Sequence, residues 1–314
     1  MRIAVLDDYQ EVAASYANWI ALDAEVTFFS DHLAEQPAVA DRLAGFDVVV
    51  AMRERTPFRR SLLEVLPNLR LLVTTGMRNA SIDLEAAAGR GITVSGTTSP
   101  GGGTAELAFG LMIALARNLV AEVRSVEEGG WQLGVGRDLS GSTLGVIGLG
   151  KLGSRMAKFG VAFGMEVVAW SQNLTEEIAS EAGATLVSKE RLLSDSDFIS
   201  IHLRLSDRTR GLIGRAELER MKPTAYLINT SRGEIVDSSA LIDALDAGAL
   251  AGAGLDVFDV EPLPQADPLR LHPRIVTTPH IGYVTDDTYR VFYEEAVEDI
   301  AAWKAGAPVR VLNG

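Results

Sequence analysis

The sequence predicts an α/β protein built from two doubly wound units, each with a parallel β-sheet. Short apolar runs alternate with amphipathic helical segments along the whole chain. Runs of this kind are typical of parallel strands that are buried on both faces. A stretch rich in Gly, Ser and Pro at 95–104 divides the runs into two series, and a chain of 314 residues is long enough for about two domains.

The first series predicts a sheet with strands at 2–6, 25–29, 47–51, 70–74 and 92–94. Helical patterns such as 35–44 and 83–89 lie between these strands. The stretch 95–104 is predicted to be a crossover or hinge rather than a phosphate loop, because no Gly-Lys-Ser/Thr follows its glycines. Thr104 then opens an apolar helix over 104–117.

The second series predicts strands at 143–147, 166–170, 197–201, 225–229, 252–257 and 274–278. Their alternation with helical patterns again favours a doubly wound sheet. From 285 onward the pattern predicts one closing helix. The predicted buried stripe of that helix consists of Phe292, Ala296, Ile300 and Trp303.

The composition limits the partners and the chemistry. Lys and Arg number 29 against 42 Asp and Glu, a formal charge of −13 that disfavours nucleic acid and anionic membranes as partners. The chain has no cysteine, which excludes disulfides, thiolate metal sites and a cysteine nucleophile, and no metal site is predicted. The N-terminus reads as a strand rather than a signal peptide, and the apolar run 107–116 is too short to span a bilayer. We therefore expect a cytoplasmic protein.

A glycine-rich turn follows the predicted strand 143–147 and precedes a helical segment. It reads Gly148-x-Gly150-x-x-Gly153. Gly148 would permit a tight turn, Gly150 would let the backbone approach a pyrophosphate, and Gly153 would allow helix and strand to pack closely. Because a strand precedes the motif and a helix follows it, we interpret it as a dinucleotide site rather than as a merely tight turn.

The end of the next strand bears on the choice of dinucleotide. NAD-binding units commonly place Asp or Glu here to bind the adenosine ribose, but this chain has Ser171. Serine removes a carboxylate that would repel a 2′-phosphate, although no arginine stands beside Ser171 in the sequence. The hypothesis is use of both NAD and NADP with some preference for NADP(H). Arg204 could supply the missing charge, or could be a solvated loop residue.

Candidate catalytic groups lie in three stretches after the glycine loop. Arg232 lies in LINTSRGEIVD, Asp256 and Glu261 lie in GLDVFDVEP, and His280 lies in TPHIG. Each stretch ends or follows a predicted strand, and doubly wound sheets bind ligands beyond the carboxyl ends of their strands. The structural alternatives are a surface turn for Arg232, a turn or helix cap for Asp256 and a solvated loop position for Glu261. Taken alone, His280 would be interpreted as a scaffold histidine at a strand end rather than as a proton carrier.

Together with the glycine loop, these stretches resemble the D-isomer-specific 2-hydroxyacid dehydrogenase family, which includes glyoxylate/hydroxypyruvate reductases and phosphoglycerate dehydrogenases. The order GxGxxG, N-x-x-RG-x-x-VD, LDVF-x-x-EP and PHIG is reproduced in full, and the resemblance covers essentially the whole chain. It implies a Rossmann cofactor domain (99–284) inserted into a flavodoxin-like substrate domain (1–98 plus 285–314). It also implies a homodimer, for which the helix 104–117 and the segment up to Arg137 would supply the interface.

The resemblance implies a role for each matching residue. Arg232 would bind the substrate carboxylate and carbonyl, and His280 would give a proton to the carbonyl oxygen as a hydride arrives from NAD(P)H. Glu261 would hold the other imidazole nitrogen and keep the ring protonated, and Asp256 would anchor the nicotinamide carboxamide. The other implied cofactor contacts are Thr104, Gly148, Leu149, Gly150, Lys151, Leu152, Gly153, Ser171, His202, Thr230, His280 and Gly282.

The resemblance also extends to substrate contacts in the first domain, where related chains use backbone donors from a loop after the fourth strand. The full set of implied substrate contacts is Arg53, Gly76, Met77, Arg232, His280 and Tyr283. Arg78 and Asn79 depart from the family pattern, and they either tune specificity or face solvent. His32 and His272 belong to no motif and are predicted to lie on the surface.

The predicted function is reduction of a small 2-keto acid by NAD(P)H, with glyoxylate and hydroxypyruvate as the best candidates. Glu261 argues against a formate dehydrogenase, which carries glutamine there. D-3-phosphoglycerate dehydrogenase is an alternative, although the sequence ends soon after the closing helix, where many such enzymes append a regulatory domain. A second alternative is a non-enzymatic, NAD(H)-sensing protein like the corepressors that share this fold.

Overall fold

The structure is a computed structural model that describes residues 1–314. The chain divides into two compact units, one formed by Met1–Pro100 with Val284–Gly314 and the other by Gly101–Tyr283. Each unit contains one sheet whose paired strands are all parallel. The predicted fold class is therefore confirmed.

The sheet of the first unit has five strands in the order β2-β1-β3-β4-β5. The strands are β1 (Arg2–Val5), β2 (Glu25–Phe28), β3 (Val48–Ala51), β4 (Leu71–Thr74) and β5 (Thr93–Gly96). The intervening helices are α1 (Ala13–Tyr16), α2 (Gln36–Leu43), α3 (Arg60–Leu63) and α4 (Leu84–Gly89), with a 3₁₀ turn at Trp19–Leu22. Every residue of β3 and β4 is buried, as expected for central parallel strands covered on both faces.

The second unit has a seven-stranded sheet in the order β12-β11-β10-β9-β6-β7-β8. The strands are β6 (Thr143–Ile147), β7 (Glu166–Trp170), β8 (Thr185–Leu186), β9 (Phe198–Ile201), β10 (Tyr226–Asn229), β11 (Gly252–Leu255) and β12 (Ile275–Thr277). The helices are α5 (Gly103–Ala116), α6 (Leu119–Glu127), α7 (Lys151–Ala162), α8 (Glu176–Glu181), α9 (Lys189–Asp195), α10 (Arg215–Leu218), α11 (Ser238–Asp246) and α12 (Pro268–Leu271), with a 3₁₀ turn at Gly233–Ile235. The sequence missed only β8, because a two-residue edge strand has no measurable periodicity.

The closing helix α13 (Asp286–Lys304) belongs to the first unit and packs against β4 and β5. Thr285 caps it by accepting a hydrogen bond from the Thr288 N–H at 3.3 Å. Phe292, Ala296 and Ile300 are buried as predicted, whereas Trp303 is only partly buried.

No helix of this chain is both long and apolar enough to cross a bilayer by itself. Only α5 and α6 taken together pass such a test of length and composition, and the two helices are bent by 64° relative to each other.

The topology of the second sheet determines where a ligand can bind. The chain starts this sheet at β6, adds β7 on one side and β9 on the other, and so reverses direction at β6. Ligands of doubly wound sheets bind at such a switch point, outside the carboxyl ends of the strands. Most candidate site residues of this unit lie in the segments that follow β6, β7, β9, β10, β11 and β12.

Candidate active site

The glycine turn after β6 has the geometry of a phosphate-binding loop. Gly148 has a φ of +92°, and a Cβ there would lie 2.7 Å from the His202 carbonyl oxygen. A Cβ on Gly153 would overlap the Gly148 carbonyl, so this glycine lets α7 approach the end of β6. A Cβ on Gly150 would meet no atom within 4 Å. Protein packing therefore does not require a glycine at position 150. The open space lies over the backbone at the N-terminus of the 12-residue helix α7, and a helix N-terminus stabilises an anion.

Polar atoms without partners lie in the segments that follow β9 and β10. The Thr230 hydroxyl and the Nδ1 atom of His202 are buried and have no hydrogen-bond partner. The other ring nitrogen of His202 lies 2.8 Å from Ser200 Oγ. Burial lowers the pKa of His202 to about 4, so the ring is neutral near neutral pH. Buried polar atoms are normally paired, and these two therefore fit a site that is completed by a polar ligand such as a dinucleotide.

The end of β7 has a neighbour that the sequence did not reveal. No arginine stands beside Ser171 along the chain, but Arg208 reaches the neighbouring residue and donates from Nη1 to Gln172 Oε1 at 3.3 Å. Because 36 positions separate the two residues, only the fold reveals this pairing. It places a guanidinium where the loops after β7 and β9 flank the glycine turn. Arg204 is exposed.

His280 lies beyond the end of β12 and is paired with a carboxylate. Its Nδ1 atom lies 2.6 Å from Glu261 Oε2, and the other oxygen of Glu261 accepts a hydrogen bond from the Phe258 N–H at 2.9 Å. The side chains of His280 and Glu261 are 21% and 32% exposed, so a small molecule can reach the ring. Because Glu261 occupies Nδ1, Nε2 is the nitrogen available to a ligand. The ring of Tyr283 packs edge-on against the imidazole, with centroids 5.5 Å apart.

Asp256 fixes the turn that carries His280. Its Oδ1 atom accepts hydrogen bonds from Thr278 Oγ1 at 2.6 Å and from the Ile281 N–H at 2.8 Å, and Oδ2 accepts from the Gly282 N–H at 2.8 Å. Burial raises the pKa of Asp256, and these hydrogen bonds oppose that effect. Within this turn His280 has a φ of +52°, which is uncommon for a residue other than glycine.

Thr104, at the start of α5, holds the same turn from another side. Its hydroxyl donates to the Gly282 carbonyl at 3.0 Å. A Cβ on Gly282 would lie 3.1 Å from Asp256 Oδ2 and from the Thr104 methyl group, so a larger residue would require one of them to shift. In this structure Asp256 and Thr104 therefore bond to the chain itself, whatever contact either makes with a cofactor.

Arg232 follows β10 and is held by an asparagine whose part the sequence did not reveal. Asn229 Nδ2 donates to the Arg232 carbonyl at 2.9 Å, and Asn229 Oδ1 accepts from the Ser231 N–H at 3.0 Å. Ser231 Oγ in turn donates to the Ile201 carbonyl at 2.8 Å, which ties the segment to β9. An asparagine side-chain oxygen that accepts from the N–H two positions on forms an Asx turn. The asparagine at the strand end was therefore the signal in the sequence.

In the first unit, Arg53 follows β3 with a φ of +53°. Its N–H donates to Thr75 Oγ1 at 2.9 Å, and its carbonyl accepts from Asn79 Nδ2 at 2.5 Å. The Gly76 N–H donates to Thr97 Oγ1 at 2.9 Å and is therefore already engaged. Met77 is 43% exposed, and Arg78 is exposed as well.

The two histidines outside the motifs are partly buried, and each is paired with a carboxylate that the sequence did not reveal. The side chain of His32 is 11% exposed, and its Nδ1 lies 2.9 Å from the buried carboxylate of Asp7. The side chain of His272 is 9% exposed, and its Nε2 lies 3.3 Å from Asp246. Each pairs with a carboxylate that is 25 or more positions away, which local sequence cannot reveal.

Comparison with known proteins gives consistent matches. Residues 109–282 match the family model of the D-isomer specific 2-hydroxyacid dehydrogenase NAD binding domain. The chain is 42% identical to a glyoxylate reductase of Thermococcus litoralis, over 81% of this chain and 80% of that protein. A solved structure of a putative D-3-phosphoglycerate dehydrogenase from Ralstonia solanacearum matches with a TM-score of 0.95 and 37% identity, covering 99% of this chain and 96% of that one. The D-lactate dehydrogenase of Aquifex aeolicus, solved with NAD and lactic acid, matches with a TM-score of 0.82 and 27% identity over 100% and 99% of the two chains.

Proposed function

The chain belongs to the D-isomer-specific 2-hydroxyacid dehydrogenase family, and from that premise we propose that it reduces small 2-keto acids to D-2-hydroxy acids with NAD(P)H. The protein is an oxidoreductase with an NAD-binding domain. Glyoxylate and hydroxypyruvate are the proposed substrates. The observation that carries the proposal is the His280–Glu261 pair, 2.6 Å apart, which leaves Nε2 of the imidazole free for a substrate oxygen.

The proposed chemistry divides between proton transfer and charge stabilisation. A bound nicotinamide dinucleotide supplies the hydride to the keto carbon. His280 donates its Nε2 proton to the carbonyl oxygen, where negative charge develops, and Glu261 stabilises the imidazolium before the transfer. Arg232 binds the substrate carboxylate, for which the planar guanidinium fork is suited.

We assign the cofactor to the carboxyl edge of the second sheet. The pyrophosphate would lie over the open face of Gly150, and the orphaned polar atoms of His202 and Thr230 would gain partners from the dinucleotide. The remaining proposed contacts are Thr104, Gly148, Leu149, Lys151, Leu152, Gly153, Ser171, Asp256, His280 and Gly282.

For the substrate we propose Arg53, Met77 and Tyr283 in addition to the catalytic residues. Because its own N–H is engaged, Gly76 would contribute by leaving room: a Cβ there would overlap the Arg53 guanidinium.

A panel of 2-keto acids tests the proposed activity. With glyoxylate and hydroxypyruvate we expect oxidation of NADH or NADPH, measured by the change in absorbance. Where the product is chiral, it should be the D-2-hydroxy acid. The panel includes pyruvate and 3-phosphohydroxypyruvate, and a higher kcat/KM for the phosphorylated acid would instead identify a phosphoglycerate dehydrogenase. An absence of turnover with every acid and both cofactors would contradict the proposal and favour a cofactor-binding protein.

The same assay compares the two cofactors. Because Ser171 carries no charge and Arg208 lies at Gln172, we expect kcat/KM values for NADH and NADPH to differ by less than about 100-fold. Arg208→Ala should weaken NADPH binding by about tenfold and leave NADH binding unchanged, as measured by fluorescence titration. Arg204→Ala is the matched control from the same loop. A stronger preference for NADH, or an equal loss for both cofactors in Arg208→Ala, would contradict this assignment.

We also propose a cytoplasmic homodimer. Large apolar side chains are exposed on α6 and the segment that follows it, and contiguous exposed apolar surface marks interaction sites. They are Leu119, Val120, Val123, Val126, Trp131, Leu133 and Val135.

Light scattering is expected to give about twice the chain mass of 33.6 kDa at micromolar concentration. Val123→Asp should shift the protein toward monomer. Val161→Asp serves as the control, since Val161 is similarly exposed (50% against 55%) but lies on α7. A wild-type protein that is monomeric would exclude the dimer.

A further inference from the structure

Arg53 has an unusual backbone whose two polar groups are both fixed by the loop after β4. Its φ of +53° lies in the left-handed region, which costs energy for any residue with a Cβ and persists only where surrounding bonds enforce it. Thr75 Oγ1 accepts the Arg53 N–H at 2.9 Å, and Asn79 Nδ2 donates to the Arg53 carbonyl at 2.5 Å. The loop after β4 thus imposes the conformation of a residue that follows β3.

Asn79 uses its full hydrogen-bonding capacity in this arrangement. Nδ2 also donates to Thr74 Oγ1 at 2.9 Å, and Oδ1 accepts from the N–H of Ser81 at 2.9 Å and from its hydroxyl at 2.6 Å. An amide side chain offers two donors and two acceptor lone pairs, and all four are engaged. Asn79 therefore has no group left for a substrate, and it does not simply face solvent.

The guanidinium of Arg53 is directed by the same loop. Its Nη1 lies 3.4 Å from the Thr75 carbonyl and occupies the space that a Cβ on Gly76 would fill. The side chain is 24% exposed at the carboxyl edge of the first sheet, and its Nε lies 3.9 Å from Glu54 Oε2. A left-handed backbone at Arg53, together with a glycine at position 76, produces this placement.

The second unit contains a related arrangement, which is local in the sequence. Asn229 Nδ2 donates to the carbonyl of Arg232 at 2.9 Å, and Asn229 Oδ1 accepts from the N–H of Ser231. In both units the asparagine of an Asn-x-Ser turn therefore donates to an arginine carbonyl, from another loop for Arg53 and from the same turn for Arg232. Arg232 is the proposed carboxylate-binding residue, and the recurrence suggests that Arg53 is held for a similar purpose.

We propose that Asn79 is a positioning residue that holds Arg53 in its left-handed conformation, so that the guanidinium binds the anionic group of the 2-keto acid. This proposal rests on the proposed function and deepens it, because it gives the first unit a dedicated anion-binding group. Asn79 acts on substrate affinity and takes no part in proton or hydride transfer. Thr75 also holds this conformation, because its Oγ1 accepts the hydrogen bond from the Arg53 N–H.

A double-mutant cycle between Asn79 and Arg53 tests this. Asn79→Ala is expected to raise KM for the best keto acid by about tenfold, with kcat changed by less than about threefold. Arg53→Ala should raise KM at least as much, and adding Asn79→Ala to it should have little further effect, because the two residues act as one unit. Arg78→Ala, an exposed neighbour, is the control and should leave KM unchanged.

Two further measurements separate positioning from general loss of structure. The isosteric variant Thr75→Val removes the acceptor for the Arg53 N–H and should reproduce the KM effect, even if Asn79→Ala folds poorly. The same double-mutant cycle can be measured by calorimetry as the Kd of oxalate, a carboxylate dianion, with the nicotinamide cofactor bound. This measurement does not depend on turnover. Multiplicative effects of Asn79→Ala and Arg53→Ala, or an effect confined to kcat, would overturn the proposal. If wild-type protein reduces keto acids while Arg53→Ala leaves KM unchanged, this inference fails and the proposed function stands.

Discussion

His280→Ala is expected to lower kcat by about 100-fold or more and to leave cofactor binding almost unchanged. The imidazole has a carboxylate on Nδ1, and its side chain is 21% exposed in the segment after β12. Its loss removes the proton donor for the carbonyl oxygen, so the developing negative charge is no longer neutralised in the transition state. Steady-state kcat with saturating keto acid and a fluorescence Kd for NADH measure the two effects separately.

A second histidine provides a matched control for this prediction. His272 also faces a carboxylate, that of Asp246 at 3.3 Å, but it lies at the end of α12 and outside the proposed site. His272→Ala should retain wild-type kcat at temperatures where it is folded. Glu261→Gln keeps a hydrogen-bonding group but removes the charge. Its kcat should therefore lie between those of the wild type and His280→Ala. Turnover by His280→Ala at the wild-type rate would remove this residue from the mechanism.

The sequence predicts the strands well because each central parallel strand is apolar along its whole length. The fully buried strands β3 and β4 coincide with predicted strands to within one residue, and this pattern depends only on neighbours in the chain. The missed strand β8 has two residues, one of them exposed, at the edge of its sheet. An element of this size is defined by its partner strand, which the sequence does not display.

The long-range partners of the site residues were not predictable in the same way. Arg208 meets Gln172, and His32 meets Asp7, across separations of 36 and 25 positions. These pairings result from loops that converge at one edge of a sheet, and no local periodicity records them. The charge or ring of each residue is visible in the sequence, but the partner that decides its role is not.

Backbone conformation sets a further limit on prediction. Arg53 and His280, two and three residues beyond β3 and β12, both have positive φ values, at +53° and +52°. A glycine in the sequence indicates a possible positive φ, whereas an arginine or a histidine does not. In each case side-chain hydrogen bonds from another segment enforce the conformation, from Asn79 for Arg53 and from Asp256 to the turn around His280. Local strain held by surrounding bonds is typical of functional sites, and it supports the proposed roles of both residues.

Arg232→Ala is expected to reduce kcat/KM for the best keto acid by about 1,000-fold, mainly by raising KM. The guanidinium can form two parallel charge-assisted hydrogen bonds with a carboxylate, and alanine can form none. Arg232→Lys should recover only part of the loss, because an ammonium group is a point charge and lacks the planar fork. The backbone position should survive both changes, since Asn229 holds the Arg232 carbonyl rather than its side chain.

Kinetics with two substrates test whether the arginine recognises the carboxylate. The penalty for Arg232→Ala should be large with a 2-keto acid and small with a keto compound that lacks the carboxylate, such as its methyl ester. Arg210→Ala is the control, because Arg210 lies near the same segment, with its Nη1 atom 3.7 Å from Glu234, but its side chain is 58% exposed. An equal penalty for acid and ester would show that Arg232 supports the fold of the site and does not bind the carboxylate.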